Sequence, residues 1–177
     1  MRKAVFIVWI VCAACALAAT AAGQAARPSG DGTLPVFIAM TMDGKIHTPE
    51  SLKGKIVVLN LWFISCPNCV AEIKLLNDVV AKYKRDDIVF LGLAVNPRPA
   101  LADSLTKNPF SYDVVPGAGS LILSRFSKPG PAGSSSIPFP MHYVYGRDGR
   151  LLVKVQGTIG VEAVKAELER QFGSGAK

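Results

Sequence analysis

Apolar positions along the 177 residues fall into blocks with two different periods. The run Ile56-Val57-Val58-Leu59-Asn60-Leu61-Trp62-Phe63 is apolar on both faces, which predicts a central strand covered on both sides. Residues 88–96 read as a second buried strand of the same kind. Between them Val70, Ile73, Leu76, Val79, Val80 and Tyr83 recur at three- and four-residue spacing, so a helix is predicted from Cys66 to about Tyr83. Pro97-Arg98-Pro99 opens another helix through Leu101 and Leu105, followed by a short strand at 113–115 and a short helix at 120–126. The segment 127–136, rich in Gly, Pro and Ser, is the longest predicted loop. Residues 141–145 and 151–156 form a hairpin across Gly146-Arg147-Asp148-Gly149, and a last helix spans 161–172. Upstream, residues 36–40 and 45–47 make a small hairpin turning at Asp43-Gly44, and Thr48 caps a helical turn through Leu52. This order predicts an α/β fold: a central mixed sheet flanked by helices, with an N-terminal β-hairpin extension.

The N-terminus has a different character. Arg2 and Lys3 precede an apolar run over 4–22, with small residues clustered at 18–23 and Ala19-Thr20-Ala21 as a cleavage option. A cleaved secretory signal, a retained membrane anchor and lipidation at Cys15 all fit residues 1–23. Each places the rest of the chain outside the cytoplasm, periplasmic or on the outer face of the cytoplasmic membrane. Residues 24–34 read as a flexible linker, 35–172 as one domain long enough for its own core, and 173–177 as a frayed tail. The formal charge is +7, but the basic residues are scattered and no aromatic-plus-basic motif accompanies them, which argues against nucleic acid as a partner. No internal repeat is visible.

The chemistry lies in Cys66-Pro67-Asn68-Cys69, directly after the first buried strand. A strand that delivers two cysteines to a helix start puts Cys66 beside unpaired backbone N–H groups, which stabilise a thiolate. Cys69, one turn further in, is more buried, so the first cysteine attacks and the second resolves. Haem attachment wants a histidine where Val70 stands. Structural zinc needs four ligands, and beyond this pair there are Cys12 and Cys15 in the leader and the isolated His47 and His142. Neither a metal nor a cofactor is therefore expected. In an oxidising compartment Cys66 and Cys69 pair with each other or with a client.

Around that motif, Leu52-Lys53-Gly54-Lys55 leads into the strand, Glu72 follows Cys69 by three residues, and Pro140-Met141-His142-Tyr143-Val144-Tyr145 runs into Gly146-Arg147-Asp148-Gly149. In this combination the chain, over roughly 35–172, resembles the thioredoxin-fold extracytoplasmic thiol–disulfide oxidoreductases of the TlpA/ResA type, in the redoxin (AhpC-TSA) superfamily. The resemblance implies a thioredoxin-like fold and a cis-proline at Pro140, with Pro138 as a rival. Phe139 before it, with Pro67, would border the bound client. Glu72 has two open readings, a carboxylate that shuttles the proton of Cys69 and a Glu that simply favours a helix N-terminus. Asn60 stands where cytoplasmic thioredoxins carry a buried acid, which adds weight to Glu72. Ser65 and Phe139 depart from the family's usual Trp and small or β-branched residue. Trp62 reads as core and His142 as a residue of the hairpin face.

The implied activity is reduction of client disulfides, in apocytochrome maturation or disulfide repair, with a membrane-linked thiol donor recharging the pair. Four alternatives stay open: a disulfide-forming oxidant, a peroxiredoxin-like peroxidase, a copper carrier using the two thiols, and a pure interaction module in which Cys66→Ser leaves function intact. The peroxidase wants Thr where Phe63 stands.

Overall fold

The computed structural model describes residues 32–129 and 134–173. The segment read above as a leader (1–23), most of the one read as a linker (24–34) and all but the first residue of the one read as a tail (173–177) lie outside those limits. Among the described residues no helix is long and apolar enough to cross a membrane.

The chain enters through β1 (Ala39–Met40) and β2 (Ile46–His47), an antiparallel pair whose turn uses Gly44 at φ 87°. Helix α1 (Pro49–Leu52) starts in a capping box. The Ser51 N–H donates to the Thr48 hydroxyl, and the Thr48 N–H donates to the Ser51 hydroxyl. Strand β3 (Ile56–Trp62) is buried at every residue. It leads to α2 (Pro67–Ala71) and α3 (Ile73–Lys82). Then come β4 (Ile88–Ala94), α4 (Arg98–Lys107), β5 (Asp113–Val115) and α5 (Gly119–Phe126). A two-residue ladder, β6 (Lys128–Pro129) with β7 (Ser135–Ser136), stands where the composition predicts a loop. Its pairing is through the backbone, and the sequence carries no period to announce it. Strands β8 (Met141–Tyr145) and β9 (Leu151–Gln156) and helix α6 (Ile159–Phe172) complete the domain.

The main sheet has the order β5-β4-β3-β8-β9, with β4 parallel to β3 and to β5, and β8 antiparallel to both β3 and β9. It is the mixed sheet flanked by helices that the sequence predicts. Strand parity divides β3 between two layers. Val57, Leu59 and Leu61 pack with Ala39, Leu52, Ile122 and Phe126 from the hairpin, α1 and α5. Ile56 and Val58 pack with Leu76, Val79, Val161 and Val164 from α3 and α6.

One expectation needs correction. The helix after Cys66 is not continuous: Glu72, at φ −89° and ψ −8°, separates α2 from α3. Backbone bonds run on either side of it, from the Glu72 N–H to the Asn68 carbonyl and from the Leu76 N–H to the Glu72 carbonyl. The break falls on the residue whose side chain is tied to the sheet below.

Candidate active site

Strand β3 ends at Trp62, whose carbonyl accepts the Val95 N–H from the neighbouring chain segment. The turn that follows is held at two points. The Ile64 N–H donates to the Asn96 side-chain oxygen at 2.9 Å, and the Cys66 N–H donates to the Phe63 carbonyl at 3.2 Å. This places Cys66 as the cap of α2, with Pro67 at its first position, where a missing N–H costs nothing. Cys66 Sγ accepts the Cys69 N–H at 3.2 Å. The two cysteines form a disulfide. Both are buried, Cys69 more than Cys66 (2% against 6% exposed). Pro67, Asn68 and Ser65 are exposed beside them.

The cysteines share an apolar cluster with Trp62, Ala94, Leu101 and Val114, edged by half-buried Phe63, Ile64 and Phe139. Trp62 is thus part of the layer that carries the disulfide as well as core. The peptide bond between Phe139 and Pro140 is cis. Pro140 is buried, its carbonyl accepts the Gly157 N–H at 2.9 Å, and the Phe139 ring meets the Phe63 ring edge-on with centroids 5.1 Å apart.

One turn past Cys69, Glu72 is 1% exposed and faces the sheet. Asn60 Nδ2 donates to its Oε1 at 3.0 Å, and His142 Nε2 lies 3.2 Å from its Oε2. The Tyr112 hydroxyl donates to Asn60 Oδ1 at 3.4 Å. Burial, reinforced by the negative charge of Glu72, pushes the Tyr112 hydroxyl well above the usual phenol range, so it stays protonated and remains a donor.

Placed together, then, are Cys66, Cys69 and Pro67, with Phe139 and Pro140 joined to them through the Phe63 contact. Glu72 sits one turn below Cys69. The sequence pattern assigns His142 to the hairpin face and gives Tyr112 no role, yet both belong to this polar layer. The signal that points to it is that Asn60 and His142 are each a lone polar residue in an otherwise apolar strand.

A family model described as the AhpC/TSA family matches residues 31–154. The chain belongs to the AhpC/TSA family. Among curated relatives of this family member is a thiol-disulfide oxidoreductase ResA of Bacillus cereus, 26% identical over 136 residues, or 76% of this chain and 72% of the relative. The protein of the same name from Geobacillus kaustophilus is 21% identical over 170 residues, 96% of this chain and 93% of the relative. Two solved structures share the fold. A secreted Mycobacterium tuberculosis disulfide oxidoreductase, homologous to E. coli DsbE, superposes with TM-score 0.60 at 24% identity, over 76% of this chain and 95% of the other. StoA of Bacillus subtilis gives TM-score 0.62 at 18% identity, over 76% and 97%. This AhpC/TSA protein therefore has a thioredoxin-like fold, and its enzyme class is thiol–disulfide oxidoreductase.

Proposed function

We propose that this oxidoreductase reduces disulfides in client proteins outside the cytoplasm, with Cys66 attacking, Cys69 resolving and Glu72 taking the resolving proton. The observation that carries this direction is the buried carboxylate of Glu72 one turn beyond Cys69. A buried negative group one helical turn from the resolving cysteine disfavours a thiolate there, which favours the disulfide over the dithiol and gives a reducing couple. Strong oxidants depend on the opposite, a stabilised reduced form. Cys66 Sγ receives one backbone donor, the Cys69 N–H, while Pro67 between the cysteines has no N–H to give.

The Cys66 thiolate attacks a client disulfide, one client sulfur leaves as a thiolate, and a mixed disulfide forms. Cys69 then loses its proton to Glu72 and attacks Cys66 Sγ, closing the Cys66–Cys69 bond and expelling the second client thiolate. Two electrons have passed to the client, and the disulfide is reduced again by a membrane-linked thiol donor. Phe139 and Pro140, together with exposed Pro67, border the client backbone in this reading. The extracytoplasmic setting is supported by the secreted relative and by the leader-like residues 1–23. Cytochrome c maturation or disulfide repair is the role that fits this chemistry.

The peroxidase reading is weakened by Phe63, three residues before Cys66 where a peroxidase wants Thr. A copper carrier would need an imidazole, and both are engaged with carboxylates: His47 with Asp113 at 2.7 Å and His142 with Glu72 at 3.2 Å. Equilibration of the Cys66–Cys69 pair in a glutathione or dithiothreitol buffer tests the direction. A potential at or below about −220 mV is expected, and one near about −120 mV makes the protein an oxidant instead.

A further inference from the structure

We propose that His142 is a positioning residue for the proton step, so that Glu72 and His142 act as one buried pair that holds the proton released by Cys69. The inference rests on the roles proposed for Cys66, Cys69 and Glu72 and adds a residue to them.

The pair is built by the sheet. In the ladder between β3 and β8, Val58 faces Val144 and Leu59 faces Tyr143, and then Asn60 faces His142. Asn60 and His142 therefore rise side by side from the face that α2, α3 and α6 cover, directly under Glu72. Each takes one carboxylate oxygen, Asn60 at Oε1 and His142 at Oε2. An amide in both places would satisfy the carboxylate. A fully buried imidazole is a costlier choice, because its second nitrogen, Nδ1, finds no hydrogen-bond partner among the described residues. The ring also depends on a residue without a side chain above it: a Cβ on Gly160 of α6 would come within 2.0 Å of His142 Cδ2. What an imidazole adds over an amide is a second site for a proton.

The balance of charge supports the pairing. With Nε2–H donating to an ionised Glu72, the pair carries one negative charge. The proton from Cys69 makes it neutral, as acid beside imidazole or as carboxylate beside imidazolium. In a site closed to water the neutral pair is the cheaper one to bury, so the acceptor for the proton is the pair as a unit. The other groups facing His142 leave that unit undisturbed. Asn60 is uncharged, β9 presents Val155 in register, α6 presents Gly160, and Tyr112 beyond Asn60 keeps its proton. The proton taken up at resolution is returned when the disulfide is reduced, so no further co-reactant is required.

The test is a double-mutant cycle on the full chain with a disulfide peptide as substrate. His142→Gln keeps a donor for Glu72 but removes the second proton site. It is expected to slow exchange about tenfold at neutral pH and to move the pH profile by about one unit. Glu72→Gln is expected to cost more, and the double variant no more than Glu72→Gln alone. A His142→Gln protein with the wild-type rate and profile, or a double variant whose losses multiply, overturns the proposal. A variant that loses stability with an unmoved profile overturns it too.

Should His142→Gln not fold, histidine side-chain NMR on the wild-type protein decides. The His142 titration is expected to differ between disulfide and dithiol forms, and identical titrations refute the pair. Cys66→Ser serves as reference: wild-type exchange that persists in it refutes the function proposed above, while the NMR titration still decides for the pair.

Discussion

The two faces of β3 come from one strand and do different work. Val57, Leu59 and Leu61 enter a layer made of apolar side chains from the hairpin, α1, α5 and the strands beside it. Ile56 and Val58 begin the other face in the same way, but Asn60 follows them and carries Glu72 together with His142. The apolar face stabilises by area, at about 25 cal/mol per Å², and asks nothing of its partners beyond shape. The polar layer gives up some of that stabilisation, since a buried carboxylate is tolerated when hydrogen bonds meet it. Strand parity thus separates stability from chemistry, and substitutions on the two faces should move different measurements.

The largest effect lies at the site itself. Cys66→Ser is expected to reduce exchange with a disulfide peptide to the uncatalysed background, because Cys69 is the more buried sulfur and does not reach a client in its place. The melting temperature of the reduced protein should stay near wild type. On the apolar face, Leu59→Ala is expected to cost about 2–5 kcal/mol by urea unfolding, since Leu59 is wholly buried. The reduction potential of the protein that remains folded should not move. A Leu59→Ala protein with an altered potential would break the comparison. Glu72→Gln is its mirror image. Exchange at neutral pH is expected to fall about a hundredfold, as for loss of a proton-transfer group, with little change in unfolding free energy.

This division is partly legible in the sequence alone. The apolar runs of β3, β4 and β8 and the Thr48 cap are local signals, and each element forms where its pattern says. The break at Glu72 leaves no trace, because the apolar positions of α2 and α3 keep one helical phase across it and periodicity does not register a single ψ angle. His142 shows why the sequence discloses the site incompletely. Its contact with Glu72 spans 70 positions and depends on the register of β8 against β3, which no local pattern encodes. Asn60 stands out as a polar residue in the place of an acid, and His142 is the same kind of interruption in β8. Tyr112 has no such mark, since an aromatic before a short strand is ordinary core.

A smaller effect probes the seam between chemistry and packing. Gly160→Ala puts a methyl group 2.0 Å from His142 Cδ2 and 2.7 Å from Cγ, so the ring or α6 must give way. The expected cost is about 1–3 kcal/mol, typical of overpacking, and exchange should slow as well because Glu72 loses the seat of its partner. On this face one substitution moves both measurements, where Leu59→Ala moves one. Unfolding and exchange measured on the same sample distinguish the cases.

The smallest effect belongs to neither face. Asp87 precedes β4, at the end of the sheet remote from Cys66, and accepts from Arg85 at 2.9 Å and from Arg147 at 2.8 Å. The Arg85 bond first, and the Arg147 bond next, hold its carboxyl down from the ordinary 3.8 to about 2. The folded value lies below the unfolded one, so the stabilisation is complete above about pH 4 and is lost as the pH falls toward 2. With the side chain 34% exposed, solvent screening limits it to about 1 kcal/mol or less. Asp87→Asn is therefore expected to flatten the acid limb of the stability curve in urea titrations between pH 2 and 5, and to leave the pH profile of exchange as it was. That second result matters more than the first. If removing this charge shifted the exchange profile, the field at the site would extend along the whole sheet, and a pH dependence ascribed to Glu72 and His142 would no longer report on that pair alone.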